Sequence, residues 1–200
     1  MGVAAVRTRS PGEQELSTTR AALAYARTAH AGQSRNADGA PFILHPREVA
    51  ALLRRAGAPD HLVAAGALHD VIEKTPAAAA DLRRRFGARI TKLVLAVSED
   101  QRIRGYAARK AALRHQVAAA GEEALMLFAA DKISKARELR VEGPKGVDAR
   151  TQRLRIAHYR SCLSLLQKRL PGSPLVGQLR AELEGLSAGT RLANPPERCS

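Results

Sequence analysis

The sequence predicts an all-α, single-domain helical bundle, and three observations carry that expectation. Hydrophobic residues make up 45% of the 200 residues, much of it Ala and Leu, which helices accommodate well. Aromatic residues are only 3% and Trp is absent, so the residue types that sheets favour are scarce. Turn formers recur between apolar stretches of helical length, at Ala31-Gly32, Gly57, Phe86-Gly87 and Gly143-Pro144-Lys145-Gly146. A chain of this length suits one domain with a sizeable core.

Residues 1–16 read as a disordered leader, and 187–200 as a disordered tail containing Pro195-Pro196. Ser17-Thr18-Thr19 opens the first helix, which runs through Leu23, Tyr25 and Ala26 and breaks at Ala31-Gly32. The stretch 32–41 is too rich in turn formers to be regular. Pro46 sits in the first turn of a second helix bearing Val49, Leu52 and Leu53, which Gly57 ends. Pro59 starts a third, which carries His69-Asp70. Thr75-Pro76 reads as the cap and first position of a short helix closing at Phe86-Gly87. Further helices are expected over 88–97, 104–119, 122–139, 147–169 and 174–186. Residues 17–186 thus form the one folded domain.

Thirty-three basic against 19 acidic residues give a net charge of +14. Such a balance favours a polyanionic partner, but Arg is also used freely on solvated faces, as in Arg83-Arg84-Arg85, and that is the reading adopted. No aromatic residues interleave the basic ones, which disfavours a stacking platform for nucleic acid. Cys162 and Cys199 are far apart and form no metal-binding pair, which fits a reducing cytoplasm. The N-terminus lacks a secretory pattern, and no segment approaches a membrane span.

The chemistry concentrates at His69-Asp70, which ends the apolar run Ala64-Ala65-Gly66-Ala67-Leu68. Burying an imidazole and a carboxylate is costly unless something binds them, and a divalent cation is the usual candidate. His45 in Ile43-Leu44-His45-Pro46 and Asp131 in Ala129-Ala130-Asp131-Lys132 complete a set of four ligands. Glu73 lies four residues beyond His69, on the same helix face if the helix continues. Two imidazoles and two carboxylates suit manganese, iron, cobalt or zinc. Four protein ligands on a six-coordinate ion leave room for water and a phosphate oxygen. Such a metal polarises a phosphoryl group and lowers the pKa of bound water. His30, His61, His115 and His158 are read as surface or satisfied core residues.

Over roughly residues 20–140 the chain resembles the HD-domain phosphohydrolases, and more closely the (p)ppGpp hydrolases. That group includes the hydrolase domains of stringent-response synthetase/hydrolases and the small alarmone hydrolases. The resemblance rests on Ala29-His30-Ala31-Gly32-Gln33-Ser34-Arg35, Pro41-Phe42-Ile43-Leu44-His45-Pro46, Leu68-His69-Asp70-Val71-Ile72-Glu73-Lys74-Thr75 and Ala129-Ala130-Asp131-Lys132. It implies an all-α HD fold, Mn2+ or another divalent transition metal, and release of pyrophosphate from the 3′ position of a guanine nucleotide. It assigns metal ligation to His45, His69, Asp70 and Asp131, and orientation of the attacking water to Glu73. It places Arg35 against the base, and Lys132, Arg109 and Lys110 near phosphates.

Two positions depart from the family pattern. Lys74 stands where the second acid of a Glu-Asp pair is usual, and Lys135 where an Asn is usual. A lysine about 6 Å from a dication is repelled by roughly 5 kcal/mol at an effective dielectric near 20, before screening. Lys74 and Lys135 can therefore clamp substrate phosphates while Glu73 alone positions the water, or the lost acid weakens catalysis. The expectation is a working, cytoplasmic, metal-dependent nucleotide phosphohydrolase. The alternatives are another nucleotide phosphatase, acting for example on NADPH, and a non-catalytic nucleotide- or RNA-binding regulator.

Overall fold

The computed structural model describes residues 11–142 and 148–192, and among them the chain is helical throughout, apart from turns, loops and one isolated bridge, Ser34 to Pro41. The helices are α1 (Pro11–Ala29), α2 (Leu44–Arg55), α3 (Asp60–Leu68), α4 (Val71–Lys74), α5 (Ala79–Val97), α6 (Tyr106–Ala120), α7 (Glu122–Glu142), α8 (Ala149–Arg169) and α9 (Pro174–Leu192).

The two inner helices are α3 and α7. Every residue from Leu62 to Leu68 is buried, because α3 packs against α1, α2, α5 and α7 at once. Gly66 permits the tightest of these approaches: a Cβ there would lie 2.7 Å from Leu53 Cδ1 and 3.4 Å from the Ala50 Cα. Helix α7 meets α2, α3, α5, α6, α8 and α9, and it buries a run from Leu127 to Ser134. A continuous buried run on a long helix is what an inner bundle position requires. Phe128, Leu62, Leu68, Leu125 and Ile133 are among the largest fully buried side chains.

Several helix limits differ from those the sequence predicts. Helix α1 already begins at Pro11, inside the expected leader, because a proline in the first turn loses no hydrogen bond that an N-terminal N–H would otherwise make. Helix α9 runs to Leu192, six residues into the expected tail, since no proline interrupts it before Pro195. The rest of the leader and tail, and the break at Gly143-Pro144-Lys145-Gly146, lie outside the described residues. Thr75 does not cap α5. It is extended, as a residue before proline tends to be, and it terminates α4, its hydroxyl donating to the Val71 carbonyl. The next helix starts only at Ala79. Gly87 is non-helical at φ 82°, so α5 is two segments meeting where Phe86-Gly87 predicts a break.

The arrangement places three things together: the N-terminus of α2, the turn between α3 and α4, and the middle of α7. No described helix is long and apolar enough to cross a membrane.

Candidate metal centre

Each of the three elements carries a side chain of the predicted set inward. His45 is the second residue of α2 and wholly buried. Asp131 projects from the buried face of α7. His69 and Asp70 do not lie within α3, as the sequence predicts, but form the turn that follows it, with Asp70 at φ −93° and ψ −6°. That turn lets two adjacent side chains converge on one point, which consecutive positions of a regular helix do less readily.

Four donor atoms meet there. His45 Nε2 lies 3.1 Å from His69 Nε2, 3.2 Å from Asp131 Oδ1 and 3.5 Å from Asp70 Oδ2. His69 Nε2 lies 3.5 Å from both Asp70 Oδ2 and Asp131 Oδ1. Donors about 2.0–2.2 Å from a shared ion stand roughly 3.0–3.5 Å apart, so these spacings suit a single ion.

The hydrogen bonds around the site argue the same way. His69 Nδ1 donates to the Gly66 carbonyl at 2.8 Å, which leaves its Nε2 as a lone pair. Ser134 Oγ donates to Glu48 Oε2 at 2.7 Å, so at 2.9 Å it accepts the Nδ1 proton of His45. Both Nε2 lone pairs therefore face each other, beside Asp70 Oδ2 and Asp131 Oδ1. The buried Asp70 Oδ2 has no hydrogen-bond partner among the described residues, while Asp131 Oδ1 is faced by the Lys135 ammonium at 3.1 Å. Converging lone pairs in a buried site call for positive charge, which Lys135 supplies on one side and a bound cation can supply at the centre. His45, His69 and Asp131 form a buried triad that fits a divalent metal with nitrogen and oxygen ligands, and Asp70 Oδ2 stands 3.5 Å from both imidazoles.

Charge near the site is tightly compensated. Burial raises the carboxyl pKa of Asp70 and Asp131, but the neighbouring lysines and imidazoles outweigh it and hold both well below the usual range. Lys135, one turn beyond Asp131, does face the site: its Nζ is 3.1 Å from Asp131 Oδ1. Burial disfavours its charge, but Asp131 and Asp70 more than reverse that and raise its pKa. Lys132 is buried, donates to Asp131 Oδ2 at 2.7 Å, and lies 4.6 Å from the Phe128 ring centroid. It braces Asp131 from the inside and is not part of the cleft wall.

A cleft of about 690 Å³ lies beside this centre, bringing together Arg35, Glu73, Lys74, Lys110 and Lys135, and its wall residues Lys135 and Glu138 reach Asp131 and His45. Glu73 Oε2 accepts the Glu99 backbone N–H at 3.0 Å. Lys74 is exposed, its Nζ 5.2 Å from the Phe42 ring centroid. Arg35 is clamped by Asp38, which takes both Nε and Nη2. Arg109 lies off the cleft wall. It and Lys110 are both held by the half-buried Glu99.

Three wall residues carried no signal in the sequence. Tyr106 on α6, and Arg155 and Tyr159 on α8, complete the far side of the cleft. A chain with only three Phe and three Tyr sets Phe42, Tyr106 and Tyr159 around this one opening. Among the other histidines, His61 pairs with Glu123 at 2.7 Å and His158 contacts Arg114 at 2.9 Å. His30 differs from its expected satisfied state. Its Nδ1 meets Gln33, but its buried Nε2 has no hydrogen-bond partner among the described residues.

Known proteins share this arrangement of chain. SpoT of Escherichia coli K12, a bifunctional (p)ppGpp synthase/hydrolase, is 40% identical over 87 residues, covering 44% of this chain and 12% of that protein. A GTP pyrophosphokinase of Streptomyces coelicolor is 35% identical over 114 residues, or 56% of this chain and 13% of that one. The match thus spans only a small part of these relatives' own length. Among solved structures, a metazoan ortholog of SpoT that hydrolyses ppGpp superposes with a TM-score of 0.74 at 23% identity, covering 94% of this chain and 99% of that one. The HD domain family matches residues 22–157, more than half of the chain and all four converging side chains. The chain belongs to the HD-domain family.

Proposed function

We propose that this protein is a metal-dependent phosphohydrolase acting on a phosphorylated guanine nucleotide, with guanosine-3′,5′-bis(diphosphate) as substrate and its 3′-pyrophosphate as the group released. The observation that carries the reading is the convergence of His45, His69, Asp70 and Asp131 beside a cleft that Lys74, Lys110 and Lys135 help to line. His45, His69, Asp70 and Asp131 would hold the ion, with Mn2+ as the proposed metal. When bound, the metal would polarise the phosphoryl group and make hydroxide available near neutral pH.

The remaining work falls to the chain's own groups. Glu73, anchored at one oxygen by the Glu99 N–H, is the carboxylate placed to orient a water and accept its proton. Lys74 brings an ammonium and not a second carboxylate to the neighbouring position. It and Lys135 instead supply positive charge where the family pattern has an acid and an amide, so both are assigned to substrate phosphates. Lys110 joins them if a phosphate draws it from Glu99. Arg35 is assigned to the base, held edge-on by Asp38. Relatives that act on (p)ppGpp and the shared fold support the substrate class. A cytoplasmic setting is part of the proposal, in keeping with the buried free thiol of Cys162.

The test is product analysis. Mn2+-loaded protein should release pyrophosphate from ppGpp, and Asp131→Ala should lose both the metal and the activity. Release of orthophosphate alone, from ppGpp or from NADPH, would replace this reading with a nucleotide phosphatase. Tight nucleotide binding without turnover across several metals would replace it with a regulator.

A further inference from the structure

The outer partners of His45 do not end at the edge of the site. From Ser134 the hydrogen bonds continue to Glu48, whose Oε1 accepts from Arg137 Nη1 at 2.6 Å. The other side of the same guanidinium, Nε, donates to Glu182 Oε1 at 2.6 Å. Glu182 Oε2 in turn accepts from Arg140 Nη1 at 2.9 Å. Glu182 belongs to α9, beyond residues 22–157 that match the family.

We infer that Glu182 is a positioning residue for the metal centre, acting through Arg137, Glu48 and Ser134 on the ring of His45. The inference rests on the reading that His45 is a metal ligand. The geometry makes the sequence of effects specific. Arg137 uses both edges of its fork at once, so Glu182 fixes the plane in which the other edge meets Glu48. Glu48 then orients the hydroxyl of Ser134, which is completely buried and has no solvent to turn toward. That hydroxyl is the acceptor of the Nδ1 proton of His45 at 2.9 Å. A second acceptor lies close by: Glu138 Oε1 is 3.2 Å from the same Nδ1. With Glu182 removed, the fork loses its anchor, Ser134 is free to rotate, and the imidazole can tip toward Glu138. Outer partners of ligating histidines typically change metal affinity by about 10- to 100-fold.

The experiment is Mn2+ titration by isothermal calorimetry on the full chain, with wild type, Glu182→Gln, Ser134→Ala and the double variant. Glu182→Gln should weaken Mn2+ binding about tenfold. Ser134→Ala should weaken it at least as much, and the double variant should bind no more weakly than Ser134→Ala alone. Arg137→Lys, which keeps the charge but loses the fork, should behave as Glu182→Gln does. Leu179→Ala, which loosens the packing of α9 at a fully buried position, is the structural control and should leave Mn2+ affinity near wild type. Wild-type affinity in Glu182→Gln overturns the inference. So does a double variant whose loss is the product of the single losses, or a Leu179→Ala loss equal to that of Glu182→Gln. Failure of the wild-type protein to bind any divalent ion would instead remove the metal reading on which this one stands.

Discussion

At the scale of single residues, Lys135 and Glu73 make opposite demands on the site. An ammonium 3.1 Å from Asp131 Oδ1 competes with a metal for the same oxygen and would attract a phosphate brought to it. Lys135→Asn should therefore tighten Mn2+ binding by on the order of tenfold or more, and weaken the binding of a phosphorylated nucleotide. Calorimetry with each ligand in turn reads both effects, and weaker metal binding in the variant would show that Lys135 supports the site and does not compete with it. Glu73→Gln keeps the hydrogen bond to Glu99 N–H but loses the base, so kcat should fall by about 10²–10⁴ while Mn2+ affinity holds. An equal loss in metal affinity would make Glu73 a ligand. The four converging residues were legible in the sequence because polar groups in apolar runs are conspicuous, as at Leu68-His69-Asp70-Val71. Ser134, Glu48 and Glu182 were not, since Ser, Glu and Arg on helices are ordinary until tertiary packing joins them.

At the scale of elements, the precision of the site depends on α3. This helix ends where His69 and Asp70 begin, and its Gly66 carbonyl holds the His69 ring. Gly66→Ala tests that dependence. Alanine favours a helix by up to about 1 kcal/mol over glycine, but overpacking a closed core costs about 1–3 kcal/mol. Here the new methyl meets buried Leu53 and the backbone of α2, so crowding wins. The variant should melt at a lower temperature and bind Mn2+ less well, since a displaced carbonyl releases the imidazole. A melting temperature equal to or above wild type would show that Leu53 yields without cost. The order of helices was legible because glycine and proline mark most of the breaks, including Gly87 within α5. The turn at His69-Asp70 was not, because no breaker residue stands there. The α8 wall of the cleft was equally hidden: Tyr159 lies ninety residues from the doublet, and only folding brings α8 over the site.

At the scale of the whole molecule, several arginines of this chain of net charge +14 are engaged locally. Arg84 pairs with Asp81, Arg89 with Glu123 and Arg102 with Asp100, while Arg85 lies over the ring of Tyr25. Exposed pairs of this kind contribute little to stability. The buried titratable groups matter more, and they set the direction of the pH response. Burial, with the Lys132 and Lys110 charges nearby, lowers the pKa of His158 to about 2, and burial also lowers that of His30. For both, the folded value lies below the unfolded one near 6.5, so the unfolded chain takes up protons first and stability falls as pH drops below that value. Glu48 and Glu99 add to the loss at lower pH. Burial opposes their ionisation, but Ser134 and Arg137, and Lys110 and Arg109, hold their carboxyls below the ordinary range. His45 works in the other direction. Burial lowers its pKa, but Asp131 and Glu138 outweigh burial and raise it, so its contribution is complete below pH 6.5 and fades as pH rises. The metal-free protein should therefore be most stable close to pH 6.5 and lose melting temperature steadily toward pH 4, in scans of thermal unfolding at constant ionic strength. His158→Gln should flatten the upper part of that acid limb, because the group that must stay neutral is gone. Bound Mn2+ should move the optimum upward, since protons compete with the metal for His45 and His69. A melting temperature that rises on acidification would contradict the assignment of His158 as a buried neutral imidazole.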